Sequence, residues 1–240
     1  MNNIIQAYQQ QGGVFITPPS VLIEKLSKVK ALLFDWDGVF NDGRKTQTSG
    51  SGFSEVDSMA LNMLRFSLWL IQTNKQRVPS AIITGETNPS AFAFARREGF
   101  DSVYYQMKDK TKSLAHFCAK NNLQKHEVAF FFDDILDLSL AKQVGVRMLM
   151  KRSNGFAFNQ YVAEQGYADY ATSGDGGQYG IREASELWMA LNGTLPEVIE
   201  KRMEFTGGYA EFIAQRNSVT TDFFQLKGDE ILPVTIDSSS

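Results

Sequence analysis

One cysteine in 240 residues, a net charge of only −3 and no long apolar run are the first constraints on this chain. A single Cys118 excludes an internal disulfide and fits a reducing compartment. A nearly balanced charge offers no basic surface for nucleic acid or for an anionic membrane. No apolar stretch reaches the roughly 20 residues that span a bilayer. The N-terminal residues lack the basic region and apolar core of a signal peptide, so the chain reads as cytoplasmic. His116 and His126 lack the spacing of a metal site and have no cysteine or carboxylate pattern beside them. Internal repeats and low-complexity tracts are absent.

Phenylalanine is abundant, with 18 residues to fill a core, and the apolar residues come in short runs. Val29-Lys-Ala-Leu-Leu-Phe34 ends in Asp35-Trp-Asp37-Gly38. Pro79-Ser-Ala-Ile-Ile83 ends in Thr84-Gly85. Val128-Ala-Phe-Phe-Phe132 ends in Asp133-Asp134, with Asp137 one helical turn later. Between the second and third runs, Lys108-Asp109-Lys110 opens an amphipathic segment. Runs of four to six apolar residues bounded by such signals read as buried strands. Further strands are predicted at 102–105, 145–149 and 168–171.

Helices are predicted at 21–29, 57–74, 89–98, 110–122, 135–143, 156–165, 181–191 and 196–216. Residues 41–55, with three glycines among Thr and Ser, read as a β-hairpin after strand one. The first 16 residues show no clear period, and the Ser-rich end reads as a loose tail. Strand-helix alternation of this kind argues an α/β fold: a Rossmann-like three-layer sandwich around a central parallel sheet. The predicted division is an N-terminal extension (1–28), a core (29–191) and a C-terminal helical extension and tail (192–240).

Three strands thus deliver polar residues at their carboxyl ends, the edge of an open α/β sheet where ligands bind. Asp35 and Asp37, at i and i+2 with Gly38 bending the chain, can face one ligand together. Like charges kept that close imply a cation or a shared proton between them. Among Lys108, Lys110 and Lys112, Lys110 fits a helix start best, because Leu114 and Phe117 follow at +4 and +7.

In this order the four motifs resemble the haloacid dehalogenase (HAD) superfamily of phosphotransferases. Asp35-Trp-Asp-Gly-Val-Phe-Asn-Asp-Gly43 and Gly176-Gly-Gln-Tyr-Gly-Ile-Arg182-Glu183 look like the first and last motifs of its capless branch of sugar-acid phosphatases. The likeness covers about Val29 to Leu191, with no insertion large enough for a cap domain. It implies a Mg²⁺-dependent phosphomonoesterase acting on a small phosphorylated metabolite, with sugar acids among the candidates, by way of an aspartyl-phosphate. Asp35 would be the nucleophile and Asp37 the general acid and base. Asp35, the Asp37 carbonyl and Asp133 would hold Mg²⁺. Asp134 or Asp137 would orient Lys110 or a water at the cation. Thr84 and the Gly85 amide would donate to a phosphoryl oxygen, Lys110 would neutralise the transferring group, and Arg182 would meet a substrate carboxylate. The resemblance also implies a homotetramer with the hairpin at an interface.

The chain departs from that branch at Glu86, where Arg is usual, at Val56, where Arg is again usual, and at Phe132, where Gly is usual. Those departures keep a second reading in play: a non-hydrolytic HAD-like binding or scaffold protein that retains the metal site. A phosphorylation-dependent receiver domain uses similar residues, but there the acid pair comes first and the lysine last.

Overall fold

Along Ala31-Leu-Leu-Phe-Asp35 successive side chains point to opposite sides, and all five are buried. A strand apolar on both faces must be covered on both faces. The computed structural model describes residues 2–45 and 51–236, and it meets that requirement with one sheet between two helical layers. The elements run α1 (Asn2–Gln10), β1 (Val14–Phe15), α2 (Pro19–Leu26), β2 (Ala31–Asp35), α3 (Glu55–Ile71), β3 (Ser80–Ile83), α4 (Pro89–Glu98), β4 (Ser102–Tyr105), α5 (Lys110–Asn121), β5 (Val128–Phe132), α6 (Leu138–Ala141), β6 (Val146–Leu149), α7 (Phe156–Glu164), β7 (Tyr170–Ala171), α8 (Gly180–Leu191), α9 (Leu195–Glu204), α10 (Tyr209–Asn217), β8 (Asp222–Lys227) and β9 (Glu230–Val234).

Strand order is β1-β7-β6-β5-β2-β3-β4-β8-β9. The seven strands from β7 to β8 are parallel, and β1 and β9 close the two edges antiparallel. Leu32, Phe34, Ile82 and Phe131 face one core with Leu61 and Leu64 of α3 and Trp188 of α8. Leu33, Ala81, Phe130 and Phe132 face the other with Leu114 and Phe117 of α5 and Val162 of α7. Phe34 stacks on Phe131 at 4.6 Å between ring centres. Each such buried side chain contributes about 1.5–3 kcal/mol relative to exposure.

The predicted strands and most predicted helices fall where expected. Four regions differ. The flanks of the expected hairpin, 41–45 and 51–54, contain no strand, its tip at 46–50 lies outside the described residues, and Ser54 already caps α3 by accepting from the Val56 amide at 3.1 Å. The helix expected over 196–216 breaks into α9 and α10, because Phe205, Gly207 and Gly208 adopt positive φ. A Cβ at Gly208 would lie 2.6 Å from the Trp69 ring, so glycine is needed there for space as well as for conformation. The expected loose tail contains β8, which pairs in parallel with β4, and β9, which returns antiparallel along β8. The N-terminal stretch without a period forms α1 and the edge strand β1, paired to β7. Among the described residues no helix is long and apolar enough to cross a membrane.

Candidate active site

Register builds the site. Asp35 lies opposite Ile83, one residue before Thr84, and Phe34 lies opposite Phe131, two residues before Asp133. Because β2, β3 and β5 are parallel, these residues reach the carboxyl edge at one level. The loop after β2 is held by Asn41, whose Oδ1 accepts from the Gly38 and Gly43 amides (3.3 and 2.9 Å) and whose Nδ2 donates to the Trp36 and Gly52 carbonyls (3.2 and 3.1 Å). Gly38 turns the loop at φ +83°, and a Cβ there would fall 1.9 Å from Asp133 Oδ2. The glycine-rich segment near the end of the core packs behind this loop. A Cβ at Gly176 would lie 1.7 Å from the Gly38 carbonyl oxygen.

Asp109 caps α5 by accepting from the Thr111 amide at 3.0 Å, which starts the helix on Lys110. Lys110 Nζ then reaches Asp35 Oδ1 at 2.7 Å and Asp137 Oδ1 at 2.6 Å, and all three side chains are buried. Lys112 instead pairs with Asp229 at 2.6 Å, and Lys108 is exposed at the cleft. Carboxylate oxygens of Asp35, Asp133 and Asp137 lie within 4.8 Å of one another. Asp133 Oδ2 accepts from Arg152 Nε at 2.8 Å and from Arg152 Nη2, while its Oδ1 is buried with no partner.

Electrostatics follow from this crowding. Burial pushes the Asp35 carboxyl well above the usual range, the Asp137 anion adds to the push, and Lys110 pulls it back. Burial raises Asp133 to about 6 against the pull of Arg152. Burial works against the Lys110 charge, but the Asp35 and Asp137 carboxylates overcome it and hold the ammonium above its ordinary value. An unpartnered buried carboxylate oxygen is costly unless a cation or proton meets it. Two carboxylates this near, with one oxygen waiting, fit a small oxygen-seeking divalent cation such as Mg²⁺, whose bonds of about 2.1 Å would bring two ligands to about 4 Å or less.

The remaining expected residues fall as follows. Asp37 faces the cleft and is held by Ser51 Oγ and by Lys45 Nζ at 3.1 Å. Thr84 is buried, with its amide donating to the Tyr104 carbonyl at 2.8 Å and its Oγ1 accepting from the Glu86 amide at 3.3 Å. Gly85 and Glu86 line the cleft just in front of it. Asp134 is exposed and caps the Ile135 amide at 2.7 Å, so of the two candidates for orienting Lys110 it is Asp137 that touches it.

Arg182 lies apart from these residues. It lines a separate pocket with Tyr8 and Gln178, not the cleft. It sits in the first turn of α8, where its amide donates to Asp57 Oδ1 at 2.9 Å and its guanidinium pairs with Glu186 at 2.5 Å. Phe132 does not crowd the site, because its ring packs into the core against Phe130. Sequence reasoning missed Arg152, which follows β6 at the same carboxyl edge, and Ser51, which Asn88 Nδ2 supports at 2.9 Å. Asp35, Asp37, Gly85, Lys110, Asp133 and Arg152 are among the residues that line a cleft of about 330 Å³.

A mostly parallel α/β sheet presenting an aspartate pair, a threonine, a lysine and a second acidic pair on one edge, in this chain order, defines a class. The fold is shared with solved structures described as a HAD-superfamily hydrolase of Legionella pneumophila and a probable YrbI-family phosphatase, proteins that this chain resembles. Within that class the chain is similar to a probable YrbI-family phosphatase of Pseudomonas syringae pv. phaseolica 1448a, with 27% identity, a TM-score of 0.63, and coverage of 78% of this chain and 99% of that one. It shares its fold with the 3-deoxy-D-manno-octulosonate 8-phosphate phosphatase of Moraxella catarrhalis, at 23% identity and a TM-score of 0.63, over 76% of this chain and 98% of that one. By sequence it is 23% identical over 176 residues to the 3-deoxy-D-manno-octulosonate 8-phosphate phosphatase of Escherichia coli K12, covering 73% of this chain and 87% of the relative. No protein-family model matches the chain.

Proposed function

We propose that this HAD-type phosphatase is a Mg²⁺-dependent phosphomonoesterase that works through an aspartyl-phosphate on a small phosphorylated metabolite of sugar-acid type. The observation that carries the reading is the buried Asp35 carboxylate, held by Lys110 on Oδ1, with Asp133 and Asp137 within 4.8 Å at the open edge of the sheet. Asp35 attacks phosphorus in line with the ester oxygen, and the bond from phosphorus to that oxygen breaks. Asp37, protonated, gives its proton to the departing alkoxide. As a carboxylate it then takes a proton from the water that attacks phosphorus, which releases phosphate and restores Asp35. Lys110 offsets negative charge on the nucleophile and on the transferring group. Asp35, the Asp37 carbonyl and Asp133 through its unpartnered Oδ1 would hold the Mg²⁺, whose charge offsets the repulsion between these carboxylates and a dianionic phosphate.

The test is Asp35→Asn with p-nitrophenyl phosphate in Mg²⁺ buffer. Turnover should fall by a factor on the order of a thousand or more with the fold retained, since loss of a covalent nucleophile is worth several kcal/mol. Turnover within about tenfold of wild type would exclude Asp35 as nucleophile. Chelation should abolish wild-type activity and added Mg²⁺ restore it. Glu86, an anion on the cleft wall, is the feature on the side of a non-hydrolytic binding protein, and the same assay decides between the two readings.

The expected substrate differs from 3-deoxy-D-manno-octulosonate 8-phosphate, the compound in the name of the E. coli relative. Glu86 and Val56 stand where that branch uses Arg, and a lost charged hydrogen bond costs about 1.5–3 kcal/mol. Two such changes imply a kcat/KM lower by on the order of a hundredfold than for the preferred substrate. A cytoplasmic homotetramer is the assembly we propose. Ile135 and Leu136, 66% and 76% exposed beside the cleft, support cover by a neighbouring subunit.

A further inference from the structure

With Arg182 paired elsewhere and Glu86 on the cleft wall, the cleft needs another cation if it is to read an acidic substrate. Its lining holds four basic residues. Lys110 is spent on Asp35 and Asp137, and Lys45 is paired with Asp37. Lys108 is exposed at the rim. Arg152 is different. Its Nε and Nη2 both donate to a single atom, Asp133 Oδ2. A guanidinium carries five N–H donors, so three remain, two on Nη1 and one on Nη2, and one from each nitrogen points along the end edge of the fork. The side chain is 41% exposed and lines both the cleft and a neighbouring pocket of about 180 Å³.

The chain also holds Arg152 in place. Its carbonyl accepts from the Gly155 amide at 2.9 Å and from Asn159 Nδ2 at 2.8 Å. Gly38 leaves room for the guanidinium, since a Cβ there would lie 2.6 Å from Arg152 Nη2. Asp133 serves on two sides at once: Oδ2 orients Arg152 while Oδ1 remains open toward the carboxylate cluster. Binding at one oxygen need not displace the partner at the other. The two carboxylates that line the neighbouring pocket each have a partner of their own. Asp175 accepts from the Ser153 amide and hydroxyl, and Asp42 pairs with Arg44 at 3.3 Å.

We propose that Arg152 is a specificity-determining residue whose free Nη1/Nη2 edge binds a carboxylate of the substrate in bidentate fashion while the phosphoryl group sits against Asp35. The inference rests on the phosphatase reading above and names the residue that would read the acid group of such a substrate. An arginine fork matches a planar carboxylate, whereas a lysine offers only a point charge.

The experiment compares matched phosphomonoesters that differ in the carboxylate: 3-phosphoglycerate against glycerol 3-phosphate, and 6-phosphogluconate against sorbitol 6-phosphate. The quantity read is the ratio of kcat/KM for the acid to that for its neutral partner, in wild type, Arg152→Gln and Arg152→Lys. Because Arg152 also touches Asp133, both substrates can slow in the variants, but that common loss cancels in the ratio. The expected result is a ratio above one in wild type that falls by about tenfold or more in Arg152→Gln, mainly through KM of the acid, with Arg152→Lys between the two. A ratio that stays within about threefold of wild type in Arg152→Gln overturns the inference and leaves the phosphatase reading standing. If wild type hydrolyses no phosphomonoester, including p-nitrophenyl phosphate with Mg²⁺, the phosphatase reading fails and the inference falls with it.

Discussion

Lys110→Met deletes one charge and keeps most of the stem and volume, which makes it a clean probe of the buried cluster. The ammonium lies 2.7 Å from Asp35 and 2.6 Å from Asp137, with side-chain exposures of 7%, 8% and 1%. At an effective dielectric of 20, each contact is worth about 6 kcal/mol before solvation is counted, and burying each ion costs several kcal/mol in return. The net attraction is therefore modest. Removing one partner is not, because it leaves two buried anions facing each other, and such losses run to about 3–5 kcal/mol.

Proton uptake limits the damage. Burial and the Asp137 anion already raise the Asp35 carboxyl, so protonation after loss of Lys110 is cheap, and the lower end, about 3 kcal/mol, is expected at pH 7.5. For a chain of this length that corresponds to a fall in Tm of roughly 6–12 °C, with a smaller fall at pH 5. Adding Asp137→Asn removes one of the two anions and should recover at least about 1 kcal/mol. Calorimetry or denaturant unfolding in chelator-treated buffer reads all three proteins. A single variant within about 2 °C of wild type at pH 7.5, or a double variant no more stable than the single one, would refute the reasoning.

Asp57 is buried, tied to the α8 N-terminus, and raised by burial to about 6, while the unfolded chain titrates near 3.9. The native state thus binds the extra proton between these values, so stability falls as pH rises from about 4 to 6 and the deficit, about 2–3 kcal/mol, is complete above that. Asp57→Asn should raise Tm at pH 7.5 and lose that advantage near pH 4.5, and an equal difference at both pH values would contradict the assignment. Gly38→Ala places a methyl group 1.9 Å from Asp133 Oδ2 at φ +83°, so a loss of about 1–3 kcal/mol is expected together with loss of activity; a variant as stable and active as wild type would show that the loop relaxes. Light scattering should give the mass of a tetramer at micromolar concentration, and a monomer would remove the proposed intersubunit cover from the site.

Asp35, Thr84, Lys110 and Asp133 were legible because each is announced locally. Three end or directly follow an apolar run, and Lys110 starts a helix whose period is visible at Leu114 and Phe117. Parallel register then turns three separate strand ends into one site, so one-dimensional signals were enough to place them. The break at Gly207-Gly208 was also written in the chain, but the apolar spacing of the flanking helices masked it. β8 was harder to read. Phe223 and Phe224 become strand residues through pairing with β4, more than a hundred residues earlier, and a parallel edge strand has no hairpin turn to reveal its partner.

The two arginines show where such reading stops. Arg182 stood in a recognisable motif and Arg152 in none, yet Arg152 reaches the cleft. Arg182 is drawn away by its own helix, where Glu186 follows at i+4 and Asp57 fixes the first turn. Arg152 is drawn in by Asp133, which it meets because β5 and β6 are neighbours in the sheet. A motif reports what the local backbone requires. Which cation faces the substrate is decided by competition among carboxylates that come together after folding, and that competition favours the arginine whose partner already lies at the carboxyl edge.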